Sequence, residues 1–328
     1  MKTQEVQEKL AVLDTALSSV REIVGPVVLV GGCVRDALLG KTSHDFDFAS
    51  PLSPDEIEDA IRRYGRKPYL AGKRYGTIGF KFQGQIIEIT SFRSEHYPEP
   101  GRHPLVNFDT DLQGDLGRRD FTINALAYDG SLHDPFGGLD DLEAGVIRGV
   151  GINEDRIQED PLRMLRAARF AAQLGFRVSD DYIQSALSLR DSLFCVSKER
   201  WISELDKLLC SVFIQQGIHV LAQTGLLSLI FSEFASYEDS DDIGSVRLSR
   251  ALFKVPPIPT ERWAVLFAHM AEAPLAFRFK DAPLHTQRAL SQELVKKYGP
   301  YLKFSRAREL EITARLQEDW DFYNSLRS

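Results

Sequence analysis

Several features that mark other classes of protein are scarce in this sequence of 328 residues. It has three cysteines, Cys33, Cys195 and Cys210, whose spacing fits neither a zinc site nor a disulfide framework, so we expect them to be reduced and buried. No stretch is apolar enough to cross a membrane, and the amphipathic helix predicted over residues 1–20 lacks the apolar core of a signal peptide. We therefore expect a soluble, cytoplasmic protein without membrane contact.

Positive charge is also scarce. The 47 acidic residues outnumber the 40 lysines and arginines and give a net charge of −7, whereas nucleic-acid-binding proteins usually have a basic surface. An acidic stretch over 237–242 is predicted to be an exposed loop, and cations recur further along the chain. These cations are Arg278, Lys280, Arg288, Lys296, Lys297, Lys303, Arg306 and Arg308. They fit a solvated helical face and an RNA-binding surface equally well, and the modest charge favours a compact RNA recognised by shape.

A glycine pair follows the first apolar run, and it belongs to neither of the common nucleotide-binding loops, GxGxxG and GxxxxGK[ST]. Residues 27–31 are predicted to form a buried strand, followed by a helix over Cys33–Leu39. Gly31 and Gly32 lie between them, where backbone N–H groups can approach an anion. Arg35 lies in the first helical turn, where a cation is unfavourable against the helix dipole, so a bound phosphate would explain its position.

Two aspartates one residue apart carry the main chemical signal. Asp45 and Asp47, in HDFDFAS, begin a strand predicted over 45–49. Side chains two residues apart on a strand project to one side, so the carboxylates would share a face opposite Phe46 and Phe48. Their repulsion favours a cation between them, and carboxylate oxygens suit Mg²⁺, which keeps waters and recruits phosphate oxygens. Aspartates used in a turn or a helix cap would give the same pattern without a metal.

A third carboxylate lies on a predicted β-hairpin. Strands over 77–82 and 85–91 flank a turn at Gln83-Gly84, and Glu88 shares one face of the second strand with Ile86 and Thr90. A charged residue in this otherwise apolar strand lies either on a solvated sheet face or in an active site.

Two further segments contain polar residues at regular spacings. In RRDFTINALAYD, with a strand predicted over 123–128, Arg119 could bind a triphosphate while Asp120 and Asn124 bond a ribose. A helix start capped by Asp120, with a solvated Arg118, explains the same residues equally well.

In EDPLRMLRAARF, a helix is predicted over Leu162–Leu174. Asp160 and Arg163 lie on one face of it, either as a surface ion pair or as an acceptor and a donor that match the pairing edges of cytosine and adenine. Glu159 is expected to support the start of this helix.

Taken in order, these segments resemble the class II tRNA nucleotidyltransferases (CCA-adding enzymes) and the related bacterial poly(A) polymerases. The matching segments are GGCVRDALLG, HDFDFA, GRRDFTINALAYD, DPFGGLDDLEAGVIRGVG and EDPLRMLRAARFAAQLGF, with a weaker match at SKERWISELDKLL. The resemblance covers residues 25–210. It implies an α+β fold, in which a nucleotidyltransferase-type mixed β-sheet head is followed by an all-helical neck, body and tail. We expect the head over 1–140, the neck with the base-recognition helix over 141–210, and a tRNA-binding body and tail over 211–328.

The resemblance also implies roles for the site residues. Asp45 and Asp47 would hold Mg²⁺ for two-metal-ion chemistry, and Glu88 would activate the attacking hydroxyl or complete the metal site. Four residues would cradle the triphosphate, namely Gly31, Gly32, Arg35 and Arg119. Asp120 and Asn124 would help bind the nucleotide, Asp160 and Arg163 would recognise the base, and Asp36 would order the turn or the arginines.

The implied activity is transfer of CMP and AMP from CTP and ATP to the 3′ end of tRNA, with release of pyrophosphate. One segment departs from the family pattern, because the loop over 97–104 has Glu99 and His103 where the family usually has Asp and Arg. In the family this loop is linked to the switch from C to A addition. A CC-adding or A-adding enzyme and a poly(A) polymerase therefore stay open, whereas a non-catalytic RNA-binding relative is disfavoured because the motif acids and arginines are all present.

Overall fold

The computed structural model describes residues 3–43, 45–97, 105–108, 110–237, 243–270 and 284–318. The chain forms two compact units, Met1–Glu159 and Asp160–Ser328. The first contains the β-sheet and the second is mainly helical, so the predicted α+β class is confirmed. The boundary between the units lies beyond the predicted head, 1–140, and the division of the remainder into neck and body stays a prediction.

The first unit is built on a mixed sheet of seven strands in the order β3-β4-β5-β2-β1-β8-β9. β2 and β5 are parallel, and the other neighbouring strands pair antiparallel. The strands are β1 (Val28–Val30), β2 (Asp47–Ser50), β3 (Pro68–Tyr69), β4 (Thr77–Phe82), β5 (Gln85–Ser91), β6 (Ser94–His96), β7 (Leu105–Asn107), β8 (Ala127–Tyr128), β9 (Leu132–His133) and β10 (Val146–Ile147). β6 and β7 form a separate hairpin.

Short helices connect these strands. They are α1 (Thr3–Leu10), α2 (Asp14–Val24), α3 (Gly32–Leu38), α4 (Pro54–Arg63), α5 (Leu112–Gly117), α6 (Gly138–Ala144) and α7 (Asn153–Glu159). α4 begins at a capping box, in which the Ser53 hydroxyl accepts from the Glu56 N–H and the Glu56 carboxylate accepts from the Ser53 N–H. Its apolar residues Ile57 and Ile61 are fully buried.

The predicted hairpin at Gln83-Gly84 is confirmed, and it fixes the position of Glu88. Both turn residues have positive φ, +47° and +87°, as a two-residue type I′ turn requires. The turn pairs Phe82 with Gln85 and sets the register that places Gly79 opposite Glu88. Ile87 and Ile89 are buried on one face of β5, whereas Glu88 is exposed on the other.

Two predicted strands of the first unit differ from the structure. The strand predicted over 45–49 begins at Asp47. The strand predicted over 123–128 is a 3-10 turn, Thr122–Asn124, followed by the two-residue β8. The alternation of apolar residues predicted a strand here, but the buried Thr122 and Asn124 side chains form hydrogen bonds with partners distant in the sequence, and these bonds favour a turn.

The cysteines also differ from expectation. All three are free, as predicted, but only Cys33 is buried; Cys195 is exposed and Cys210 is half-buried. Cys195 closes a 3-10 turn and Cys210 caps a helix, so neither lies on an apolar face of an element. The prediction that Cys195 is buried was therefore wrong.

The second unit is mainly helical and contains a short strand, β11 (Arg177–Val178). Its helices are α8 (Leu162–Leu174), α9 (Asp180–Leu189), α10 (Lys198–Leu209), α11 (Ile214–Gln223), α12 (Leu226–Ile230), α13 (Ile243–Phe253), α14 (Pro259–Met270), α15 (Leu284–Tyr301) and α16 (Arg306–Glu318). The helix predicted over 218–227 is divided between α11 and α12, because Gly225 adopts a left-handed conformation with φ +66°. The predicted break around the prolines at 256–259 falls between α13 and α14.

Parts of some predictions lie outside the described residues. These parts are most of the acidic stretch, the altered loop over 98–104 and the cations Arg278 and Lys280. Within the described ranges, no helix has the length and apolar character needed to cross a membrane.

Gly217 allows α11 to lie close against α8. A Cβ added at this position would come within 2.7 Å of Ala172 Cβ and 2.9 Å of the Ala168 carbonyl oxygen. Arg163 lies on α8, so this contact helps to hold in place the helix that we expect to recognise the base. Both neighbours are parts of a helix rather than flexible side-chain ends, so neither can move cheaply.

We expect Gly217→Ala to lower the free energy of unfolding by about 1–3 kcal/mol, because overpacking displaces one helix from the other. Gln215→Ala is the control, since Gln215 is exposed on the same helix and its truncation should change stability by less than about 0.5 kcal/mol. Denaturant unfolding of the variants measures both. Equal stability of the two variants would show that the close contact between α8 and α11 is not needed.

Candidate active site

Two carboxylates lie side by side on neighbouring strands. Asp47 is the first residue of β2 and pairs in parallel register with Glu88 of β5. Residues in register project to the same face of a sheet, so both carboxylates lie on one face. Asp47 and Glu88 are exposed there, whereas the next pair, Phe48 and Ile89, is buried on the other face.

Asp45 lies outside the strand, so the expected alternation of faces does not place it. Its backbone oxygen accepts a hydrogen bond of 2.9 Å from the Ser43 hydroxyl, which ties it to the preceding turn. Asp45 is nevertheless close enough for its charge to raise the Asp47 pKa. Phe48 packs on the opposite face as predicted, whereas Phe46 is only half-buried.

The Asp47 carboxylate has a pKa above the ordinary value of an aspartate. Its side chain reaches solvent, yet surrounding protein atoms reduce its hydration, which raises the pKa; the Asp45 charge adds to this and Arg119 opposes it. Beneath it, burial raises the pKa of the Cys33 thiol to about 11. The thiol therefore stays protonated at neutral pH.

These residues fit a divalent cation. The carboxylate oxygens of Asp45 and Asp47 are hard ligands, and a cation between them would relieve the repulsion that raises the Asp47 pKa. In the part of the chain that the structure describes, no group of three or more His, Cys, Asp or Glu residues could hold a metal by itself. A hard divalent cation bound here would complete its coordination with waters and with oxygens of bound phosphates.

Arg119 lies over the glycine pair. Gly31 has φ +74° and precedes α3, and a Cβ on it would lie 2.7 Å from Arg119 Nη1. Arg119 Nη2 is 3.3 Å from Asp115 Oδ2, while the buried Nε has no hydrogen-bond partner. An arginine with a spare buried donor beside an open backbone turn is suited to an anion with several oxygens.

Three of the predicted nucleotide-binding residues form one buried chain of hydrogen bonds. Arg35 Nη1 donates to Asn124 Oδ1 at 2.6 Å, and Asn124 Nδ2 donates to Asp120 Oδ1 at 3.0 Å. Arg35 Nε also donates to Asp36 at 2.9 Å, which confirms that Asp36 orders an arginine. Arg35 therefore already has two protein partners, and its direct contact with phosphate stays a prediction.

Sequence reasoning missed the acids that hold the arginines. Asp115 is fully buried, and its carboxylate accepts from Arg118 at 2.9 Å as well as from Arg119. Glu95 accepts from Arg118 and Arg93, so Arg118 is not a solvated side chain. The spacing of Asp115 three and four residues before the arginine pair was an available signal, but Glu95 has no such local signal.

The second unit contains the predicted base-reading pair. Asp160 precedes α8 and its Oδ1 accepts from the Leu162 N–H at 3.3 Å, while Arg163 lies in the first turn of α8 and is 6% exposed. Arg200 of α10 holds Asp160 with two hydrogen bonds, of 3.2 and 2.7 Å. Sequence reasoning missed Arg200, because its partner is 40 residues away.

Comparison with protein families gives two matches. Residues 27–148 match the Poly A polymerase head domain, and residues 175–238 match the probable RNA and SrmB-binding site of polymerase A. The first match contains both Asp45 and Asp47 and the arginine pair, and the second lies within the helical unit.

Curated proteins named CCA-adding enzyme are similar to most of the chain. That of Geobacillus kaustophilus is 37% identical over 72% of this chain and 57% of its own length. That of Bacillus subtilis is 38% identical over 78% of this chain and 62% of its own length. The chain thus spans about three fifths of the length of these relatives.

Solved structures have the same fold. The Bacillus stearothermophilus CCA-adding enzyme in complex with CTP covers all of this chain and 82% of its own, with a TM-score of 0.63 and 26% identity. The Thermotoga maritima CCA-adding enzyme complexed with tRNA covers 98% of this chain and 84% of its own, with a TM-score of 0.62 and 22% identity. The ordered motifs, the two domain matches and these relatives agree, and the chain belongs to the family of tRNA nucleotidyltransferases and bacterial poly(A) polymerases.

Proposed function

We propose that this protein transfers CMP and AMP from CTP and ATP to the 3′ end of tRNA, with release of pyrophosphate. The observation that carries the proposal is the pair of in-register carboxylates, Asp47 and Glu88, beside an arginine that lies over a glycine turn. Relatives named CCA-adding enzyme support tRNA as the acceptor, and such a substrate is consistent with a cytoplasmic protein.

The carboxylates would hold the catalytic metal. Family membership implies a divalent cation, and we propose Mg²⁺ bound by Asp45 and Asp47. Such an ion lowers the pKa of an attacking hydroxyl and neutralises charge on the leaving pyrophosphate. Glu88, in register with Asp47, would accept the proton of the 3′ hydroxyl or complete the metal site.

The arginine and glycine residues would bind the triphosphate. Arg119 donates from a fixed position because Asp115 holds Nη2, and its spare Nε can bind a phosphate oxygen. The backbone N–H groups of the Gly31-Gly32 turn would face the same phosphates. Asn124 and Asp120 would bond the ribose, and Arg35 would keep Asn124 in place.

Asp160 and Arg163 would recognise the incoming base. Cytosine and adenine both present an amine donor beside a ring-nitrogen acceptor, which an Asp acceptor and an Arg donor complement. Arg200 would orient Asp160, because its two bonds fix the plane of the carboxylate. A base that left a buried group unpaired would be rejected by roughly 1–3 kcal/mol.

Two narrower activities come from the same chemistry. The altered loop over 97–104 keeps CC-only and A-only addition as alternatives, and a poly(A) polymerase would use the same kind of head domain.

These activities can be separated by giving the purified protein tRNA that ends before, within or after CC, with one labelled nucleotide at a time. We expect two C on the tRNA that ends before CC, one C on the tRNA that ends within CC, and one A on the tRNA that ends in CC. Long adenosine tails would instead identify a poly(A) polymerase, and no incorporation on any end would refute the proposed function.

The carboxylate pair can be tested separately from RNA binding. Asp45→Asn and Asp47→Asn should each lower nucleotide incorporation by at least about 1000-fold, because each loses a metal ligand that positions the reacting groups. Binding of tRNA in a filter or gel-shift assay should stay within about twofold. Asp59→Asn is the control, since Asp59 is exposed on α4. Turnover at the wild-type rate in either site variant would contradict the metal assignment.

Base choice can be tested at the start of α8. Asp160→Ala should reduce discrimination of CTP against UTP by roughly 5- to 150-fold, since it removes the acceptor for the amine group of the base. Arg200→Ala should reduce discrimination in the same direction and by less, because Asp160 keeps its charge but loses its orientation. Asp155→Ala, an exposed carboxylate of α7, is the control. If Asp160→Ala still incorporates only C and A, base recognition lies elsewhere.

A further inference from the structure

One segment of the head has a charge opposite to that of the whole chain. Residues 60–87 contain no aspartate or glutamate, and the chain as a whole has a net charge of −7. The seven cations of this segment are Arg62, Arg63, Arg66, Lys67, Lys73, Arg74 and Lys81. Three tyrosines, Tyr64, Tyr69 and Tyr75, are interspersed among them. Basic residues interleaved with aromatic ones are typical of surfaces that bind single-stranded nucleic acid.

The structure places this segment at one edge of the sheet, next to the carboxylates. It runs from the end of α4 through β3 and β4 into β5, and β3 is the edge strand. Tyr69, Lys81 and Ile86 are exposed, with Tyr69 at 44% and Ile86 at 64%. Large hydrophobic residues are exposed elsewhere in the chain as well, but here they lie beside a lysine and next to the carboxylates.

Strand register connects Tyr69 directly to the carboxylates. Tyr69 pairs with Gly79, Gly79 with Glu88, and Glu88 with Asp47, so the four residues form one row across β3, β4, β5 and β2. Residues in one row share a face. Gly79 has no side chain, and the Tyr69 ring lies against it, with Tyr69 Cδ2 3.6 Å from the position that a Cβ would take. Lys81 and Ile86 form the neighbouring pair on the same face.

The chemistry of the transfer favours an RNA that arrives from this side. In-line displacement at phosphorus places the attacking hydroxyl opposite the leaving pyrophosphate. The proposed triphosphate cradle, Gly31 with Arg119, follows β1, which adjoins β2 on the side away from β5. The attacking hydroxyl is therefore expected on the β5 side of Asp47, and β4 and β3 continue the sheet in that direction. This part of the argument rests on the proposed function.

We propose that the face formed by Tyr69, Lys81 and Ile86 binds the terminal nucleotides of the acceptor RNA. Tyr69 stacks on a base and Lys81 contacts a backbone phosphate, while Glu88 lies at the 3′ terminus. Three strand spacings separate Asp47 from Tyr69, roughly 14 Å. At about 3.4 Å for each stacked nucleotide, Tyr69 reaches a base within about four nucleotides of the end. The partner is thus a single-stranded RNA end, and this surface is additional to any RNA contact in the helical unit.

A protective role for these cations explains the observations less well. Lysines on edge strands prevent sheets from pairing with other chains. Lys81 lies just past the two residues of β4 that pair with the edge strand β3, so this role fits Lys81 but not the aromatic residue beside it. Some cations of the segment do have acidic partners, since Lys73 contacts Asp55 and Glu58. Protection also gives no reason for an exposed tyrosine in register with the carboxylates.

The test measures RNA and nucleotide dependence separately in Tyr69 and Lys81 variants of the full chain. Tyr69→Ala should raise the KM for tRNA ending in CC by roughly 5- to 150-fold, the range of one lost base stack, and leave the KM for ATP within twofold. Tyr69→Phe should keep the wild-type KM, because it keeps the ring.

Lys81→Gln should weaken RNA binding and reduce the slope of log K against log salt by about 0.7, because one phosphate contact is lost. Lys9→Gln, on α1, is the control and should leave that slope unchanged.

A crosslinking experiment locates the contact between the RNA end and the protein. tRNA carrying 4-thiouridine at one of its last four positions should crosslink to the segment over 60–87, as mapped by mass spectrometry. Unchanged KM for tRNA in Tyr69→Ala, or crosslinks confined to residues beyond 160, would overturn the inference. Both outcomes presuppose a wild-type protein that incorporates nucleotides. A wild type that incorporates none would instead overturn the proposed function.

Discussion

The cost of holding a carboxylate charge at Asp47, the first residue of β2, is the constraint on which the rest of the head depends. Poor hydration and, after it, the charge of Asp45 raise the Asp47 pKa, and the register of β5 adds Glu88 to the same face. A protein could remove this cost by replacing one acid. The fold instead compensates it with Arg119, whose charge lowers the Asp47 pKa. The site remains acidic after this compensation, which is unfavourable for a polyphosphate unless a divalent cation binds with it.

Arg119 can compensate Asp47 only because other groups fix its position. Asp115, with no exposure to solvent, accepts from both Arg118 and Arg119, and Glu95 accepts from Arg118 on the other side. Negative and positive side chains therefore alternate along one path. It leads from Glu95 of β6 through Arg118 and Asp115 to Arg119, which lies beside the glycine turn. Glycine is favoured at position 31, at the end of this path, because its φ is +74°, and a Cβ there would also lie 2.7 Å from Arg119 Nη1. A buried ionic network of this kind contributes little net stability, and its effect is to hold the guanidinium in one place.

Features set by neighbouring residues could be predicted from the sequence. The Gln83-Gly84 turn, the buried run before Gly31 and the helix over Leu162–Leu174 all follow local rules of turn chemistry and periodicity, and the structure has each of them. Sequence reasoning failed where a distant partner decided the conformation. The segment around Asn124 became a turn because its side chain bonds Arg35, 89 residues earlier. The orientation of Asp160 likewise depends on Arg200, which no local pattern identifies.

The low overall charge and the basic sheet edge have compatible physical roles. A uniformly basic surface would hold any RNA strongly, and binding would depend on phosphate contacts rather than on the strand end. In a chain of net charge −7, the overall electrostatic effect is to repel RNA. A local basic and aromatic face attracts only the part of the RNA that it can reach. Because that face shares a register row with Asp47 and Glu88, attraction there brings the strand end towards the reacting groups. The acidic excess elsewhere would then contribute to specificity for the end of the RNA.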